Sequence, residues 1–154
     1  MIDSKDKKVL IELLKDGRKS FADLARACRM TRQSIFSRIK SLRRKGVIKG
    51  FTVVLDQQKL GLNLKAYILL SAHSSEEARE RASKTLAQFP QISQIHRLFG
   101  RFDFLLEVLV KDINELSEII GKIHRIEVIT KTETMIVYKN IKYDVQHPFE
   151  NVLE

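Results

Sequence analysis

Two short stretches of this sequence hold side chains whose types and spacing suit recognition chemistry. In the first, Thr31, Arg32, Gln33, Ser34, Ser37, Arg38 and Ser41 crowd a single segment. Arg can bond guanine bidentately, Gln can do the same with adenine, and Ser donates or accepts as needed. Arg29 and Thr31 lie where a following helix would begin, and backbone N–H groups at a helix start meet phosphates. Lys40, Arg43, Arg44, Lys45 and Lys49 add an attraction to polyanions that is independent of base sequence. The second stretch is Gly100-Arg101-Phe102-Asp103. Gly100 permits a tight turn that presents backbone N–H groups to a carboxylate, and Asp103 can pair with an ammonium group. An amino acid carries both groups, so the turn is a candidate receptor for its α-end. The same residues also make an ordinary turn in which Asp bonds its own backbone. Thr130, Thr132 and Thr134 repeat at period two and so face one side of a strand, although Thr favours strands in any case. His96 and Arg97 lead into the turn, and Ser117 is a further candidate on a later helix.

Catalysis would need a nucleophile with its base, paired carboxylates or a metal cluster. The histidines, His73, His96, His124 and His147, show no metal-ligand spacing. Cys28 is the single cysteine, so no internal disulfide and no Cys-x-x-Cys pair can form. Neither G-x-G-x-x-G nor G-x-x-x-x-G-K-[ST] occurs. The expectation is a binding protein without enzymatic activity, cofactor or metal.

These residues need elements to position them. Val9, Leu10, Leu13 and Leu14 give residues 1–17 an amphipathic helical face, with Asp3 or Asp6 as cap and Gly17 beyond its end. Ser20 and Asp23 open a second helix over about 20–28. A tight turn at Cys28-Arg29-Met30 leads to Thr31, the expected N-cap of a third helix that ends before Gly46. Ile35, Ile39 and Leu42 form its inward stripe. Phe36 falls between the inward and outward faces, and Arg38 fits either a base reader or a bridge to the preceding helix. Val47 to Leu55 is β-rich. Three helices followed by a strand make a winged helix-turn-helix, whose third helix enters the major groove. Beyond Lys65 the pattern alternates: a strand at 66–72, a helix with Ala78, Ala82, Leu86 and Phe89 on one face, a strand at 92–99, a hairpin partner at 104–110, a helix capped by Asp112 and Glu115, and a strand at 127–139. This is the βαββαβ, ferredoxin-like order. The fold class is therefore α+β. A helix-turn-helix unit at 1–50 is joined by a strand-containing linker at 51–65 to a βαββαβ unit at 66–139, and a tail at 140–154 is unassigned.

Charge follows the same division. Residues 1–65 carry 17 Lys+Arg against 6 Asp+Glu, whereas residues 66–154 carry 11 against 13. The first half should therefore be the one that meets a polyanion. The N-terminus lacks an apolar signal-peptide core, and no apolar run approaches the ~20 residues of a membrane span. A cytoplasmic location is expected.

The order and spacing of several motifs resemble a known family. They run from Ile2-Asp3, Val9-Leu10 and Leu13-Leu14 through Asp16-Gly17-Arg18 and Leu24-Ala25. Arg38-Ile39-Lys40-Ser41-Leu42, Gly46-Val47-Ile48-Lys49-Gly50-Phe51, Gly100-x-x-Asp103-Phe104 and the Thr-rich last strand complete the set. Together they resemble the Lrp/AsnC (feast/famine) transcription regulators over roughly residues 2–139. The resemblance implies a RAM/ACT-like βαββαβ domain that dimerises through its sheet and binds an effector, usually an amino acid. It also implies assembly of homodimers into tetramers or octamers, with the effector at a junction between dimers near the Gly-x-x-Asp turn. It favours Thr132 and Thr134 over Thr130 as ligand contacts. The expected partner is double-stranded DNA carrying a pseudopalindromic operator. The alternative is an architectural DNA-binding protein without sequence preference.

Overall fold

The structure, a computed structural model, describes residues 2–153. In chain order the elements are α1 (Ser4–Lys15), α2 (Phe21–Cys28), α3 (Arg32–Arg44), a 3-10 turn (Gln58–Leu60), β1 (Leu64–Ala72), α4 (Glu76–Leu86), β2 (Ile92–Arg97), β3 (Phe104–Val110), α5 (Ile113–His124), β4 (Ile129–Ile136) and α6 (His147–Leu153). They form two compact units. One runs up to Val54 and includes the segment from Lys142; the other is Leu55–Ile141.

In the first unit the helix ends are set by local chemistry. Asp3 caps α1 by accepting from the Asp6 N–H at 2.7 Å, and Asp6 returns the bond to the Asp3 N–H at 3.2 Å. Ser20 caps α2 through the Asp23 N–H, and Thr31 caps α3 through the Ser34 N–H. Arg29, with φ of 54°, supplies the left-handed residue that ends α2 and tightens the turn. Gly46, with φ of 72°, performs the same service after α3, where a side chain would be strained. Val9, Leu24, Ala25, Cys28, Ile35 and Ile39 form the core, with Leu13, Met30 and Ile48 against it. Burial raises the Cys28 thiol pKa, so the lone cysteine is a small apolar filler. The tail, unassigned in the sequence, forms α6 and packs on α1; the Lys7 ammonium donates to the Val152 carbonyl at 3.0 Å.

The expected strand after Gly46 is absent. Residues 49–56 form no regular element, because a strand needs a neighbour for its N–H and C=O groups and the described chain offers none. Phe51, Val53, Val54 and Leu55 stay exposed there. The linker instead contains the 3-10 turn, and β1 begins two residues earlier than expected.

The second unit is a four-stranded antiparallel sheet in the order β2-β3-β1-β4. Ala66, Ile68 and Leu70 of β1 and Phe104, Leu106, Val108 and Val110 of β3 turn to one face. There they meet Ala82 and Leu86 of α4 and Leu116, Ile119 and Ile123 of α5. The opposite face carries Tyr67, Leu69, Leu105, Leu109 and Met135, and no helix of this unit covers it among the described residues. No helix among the described residues is long and apolar enough to cross a membrane.

Phe104 is fully buried at the centre of this core. Phe104→Ala is expected to lower stability by about 3–5 kcal/mol, from lost burial and the cavity left behind. A urea titration followed by circular dichroism checks it.

Candidate nucleic-acid interface and effector turn

The rotation of α3 about its axis decides which of its residues face out. Ile35, Ile39 and Leu42 turn inward as the spacing predicts. Arg38 is only 22% exposed, and its Nη1 donates to Asp3 at 2.8 Å and to Asp6 at 2.6 Å. It therefore bridges to α1, the first helix rather than the one before it. Its guanidinium holds the Asp3 carboxyl below the usual carboxylate range, and the two carboxylates raise Arg38 in return. Asp6 is the one buried charged residue among those described, so this pair sits partly out of water. Ser34 turns back toward the Met30 sulfur at 3.8 Å, and Ser41 is half-buried on the same side. The exposed face comprises Arg32, Gln33, Phe36, Ser37, Lys40, Arg43 and Arg44. Arg29 and Thr31 at the helix start, and Lys49 beyond its end, are exposed too. Of the seven residues expected to read bases or enter the groove from α3 and its cap, Ser34, Arg38 and Ser41 thus lie off the outward ridge, and Phe36 lies on it.

The second site is held by Asp103. Its Oδ2 accepts from the Ala72 N–H at 2.9 Å and its Oδ1 from Arg79 Nε at 2.9 Å. Its backbone N–H donates to Leu70 O, and its carbonyl accepts from the Leu98 N–H, each at 2.8 Å. Each carboxylate oxygen therefore has one donor from the chain itself. Asp103, expected as the partner of an ammonium group, fastens the turn to the end of β1 and to α4. The Ala72 bond, helped by Arg79 and opposed by desolvation, holds its carboxyl below the ordinary value. Gly100 sits at φ of 151°, and open space surrounds it. The N–H groups of Gly100, Arg101 and Phe102 have no hydrogen-bond acceptor among the described residues. Phe102 is buried, with the Arg101 guanidinium 4.9 Å and the Lys131 ammonium 5.3 Å from its ring centre. Arg101 also reaches Glu133 of β4 at 3.8 Å.

Other expected residues divide between the two faces of the sheet. Thr132 and Thr134 pair with Leu70 and Ile68, and so face the helix side. Thr132 bonds the His124 ring at 2.6 Å, a contact without any signal in the spacing of the residues. Thr130 donates to the Ser71 carbonyl. His96 pairs with Leu105 and lies on the uncovered face, where it bonds Gln94. It is not brought to the threonines. Arg97 lies on the helix side and pairs with Glu76 at 2.6 Å. Ser117 bonds the Ile113 carbonyl of its own helix, two turns from His124. Neither Ser117 nor His96 joins the turn.

A helix-turn-helix followed in the chain by a βαββαβ unit defines a class, the DNA-binding regulators with a ligand-binding module. Comparison with known proteins narrows it. Residues 2–49 match the winged helix-turn-helix DNA-binding family and residues 65–146 the Lrp/AsnC ligand binding domain. The chain is 33% identical over 148 residues to the HTH-type transcriptional regulator FL11 of Pyrococcus furiosus, covering 96% of this chain and 97% of that one. It is 32% identical to the regulatory protein AsnC of Haemophilus influenzae, covering 90% and 93%. Among solved structures it is similar to an AsnC family transcriptional regulator from Agrobacterium tumefaciens, with a TM-score of 0.89, 26% identity and coverage of 97% and 99%. A Neisseria meningitidis transcriptional regulator solved as an L-Met complex shares the fold, with a TM-score of 0.91, 23% identity and 99% coverage of both chains. The chain belongs to the Lrp/AsnC family and is a transcriptional regulator with a DNA-binding helix-turn-helix and a ligand-binding domain.

Two outcomes follow from the ion pairs. Arg38→Ala leaves the buried Asp6 carboxylate without its cation, and should lower stability by about 2 kcal/mol in denaturant titration. Asp103 has a folded pKa below its unfolded value, so its contribution is complete above about pH 4 and is lost as pH falls through the folded value. Asp103→Asn keeps an acceptor for Ala72 but loses the charge opposite Arg79. Its stability is expected to fall less steeply than the wild type's when unfolding is measured from about pH 5 down to pH 2.

Proposed function

We propose that this protein is a sequence-specific transcriptional regulator whose assembly or DNA affinity is set by a small effector, an amino acid. The observation that carries the DNA half is the outward ridge of α3. Arg32, Gln33 and Ser37 stand clear of the core there, while Arg29, Thr31, Arg44 and Lys49 flank it as phosphate contacts. Ser34, Arg38 and Ser41 set the helix rather than touch bases. A cytoplasmic homodimer aligns two such helices on successive major-groove faces, so half-sites lie about one helical turn or a multiple apart. The uncovered sheet face is the surface offered for that pairing, and dimers assemble further into tetramers or octamers.

The effector site centres on the Gly100–Asp103 turn. The unclaimed N–H groups of Gly100, Arg101 and Phe102 suit a carboxylate, with Arg101 and Lys131 adding positive charge. Asp103 holds the turn in shape for them. Thr132 and Thr134 stand on the strand that Arg101 reaches. The Neisseria meningitidis relative bound to L-Met supports the ligand class.

Two measurements test the reading. Selection from randomised duplex DNA should recover a pseudopalindrome bound ~10³-fold or more above bulk DNA. Recovery of no consensus would favour an architectural packing role. Calorimetric titration with each of the twenty amino acids should give saturable binding for at least one. Binding that survives Gly100→Val and Arg101→Ala unchanged would remove the turn from the site.

A further inference from the structure

Phe36 is the residue on the α3 ridge that neither phosphate attraction nor hydrogen bonding accounts for. It is 46% exposed; its helical neighbours Arg32, Gln33 and Lys40 at i−4, i−3 and i+4 are exposed, while Ile39 at i+3 is buried. It therefore lies at the edge of the outward face, beside the candidate base readers. Its position is held from the side. The ring of Phe21 meets it edge-to-face, with centroids 5.9 Å apart and planes at 79°. Phe21 is the first residue of α2, fixed by the Ser20 cap. The two rings, with Ile39, Lys40 and Arg43, border a shallow open hollow of about 360 Å³.

A phenylalanine that merely plugged the α2–α3 junction would turn in beside Ile39. Here roughly half of the ring stays in water, on the face that enters the groove, with cations on both sides. Those cations fit the occupant to be nucleic acid rather than an apolar protein segment, since phosphates answer them and a hydrophobic peptide does not. Within a major groove the apolar feature is the C5-methyl of thymine, and phenylalanine is among the side chains suited to it. We infer that Phe36 is a base reader whose ring contacts a thymine methyl, with Phe21 as its positioning residue. The inference rests on the proposed role of α3 as recognition helix.

The test uses the full-length protein and the duplex it selects. Each thymine of that site is replaced in turn by deoxyuridine, which removes the methyl and leaves base pairing intact. In the wild type one thymine per half-site is expected to show about a four-fold loss, the value of one buried methyl-sized group at ~0.8 kcal/mol. Phe36→Ala should bind the thymine and deoxyuridine duplexes equally, with the salt dependence of binding unchanged, because no phosphate contact is lost. Phe21→Ala leaves Phe36 in place and should shrink the methyl effect; it supplies the comparison if Phe36→Ala does not fold. A selected site at which no deoxyuridine weakens the wild type overturns the role of Phe36 while leaving sequence-specific binding intact. The same holds if both variants keep the wild-type methyl penalty. Recovery of no preferred site at all overturns both readings together.

Discussion

The ion pair between Arg38 and the two carboxylates of α1 fixes what the helical unit can present. Apolar packing alone leaves a helix free to roll by a fraction of a turn, because Ile35, Ile39 and Leu42 span a broad stripe rather than a line. A charged group with bonds of 2.6–2.8 Å to two partners does not tolerate that roll. Asp3 and Asp6 can hold Arg38 because they are already held by each other's backbone in the α1 capping box. One local motif at the chain's start thereby sets the orientation of a helix thirty residues later, and with it the row of side chains turned outward.

The second unit uses the same device for a different end. Asp103 looks, in sequence, like a group waiting for a ligand. In the fold its carboxylate accepts from Ala72 and Arg79, while the preceding backbone N–H groups of the turn have no acceptor among the described residues. A buried or half-buried carboxylate is costly to desolvate, so it tends to find partners within the chain first. Arg38 and Asp103 are alike in this: each carries the chemistry expected of a contact residue, and each is engaged by partners within its own unit.

Where periodicity met one clear burial environment, the sequence was legible. Strand β3 falls on the expected 104–110 because Phe104, Leu106, Val108 and Val110 alternate without interruption. The Asp112 and Thr31 caps and the Gly46 stop were legible for the same reason: each is a local device whose effect does not depend on the rest of the chain. The losses have a common cause in non-local information. Ser34, Arg38 and Ser41 look outward on a helical wheel until α1 is known to lie against that side. Phe36 cannot be placed without Phe21. His96 lands on the uncovered face because a bulge between Ile92 and Gln94 shifts the alternation of β2. Residues 51–55 have the composition of a strand, but pairing is a property of two segments, and no second one lies within the described chain. The seven-residue α6 gave too short a pattern to register a period.

The division into two units constrains how an effector could act. The turn at Gly100 belongs to the Leu55–Ile141 unit and the ridge of α3 to the other compact unit. On the proposed reading an effector would act on an equilibrium between arrangements of copies, and it could shift that equilibrium only by binding one arrangement more tightly. Coupling of about 1–3 kcal/mol is typical of such systems. The unladdered apolar segment at Phe51–Leu55 and the bare sheet face supply the surfaces on which arrangements can differ. On the same reading a dimer would engage two half-sites at once, so a change in their spacing would weaken both contacts together. A modest preference at the effector turn would then be expressed as a large change in occupancy of the operator.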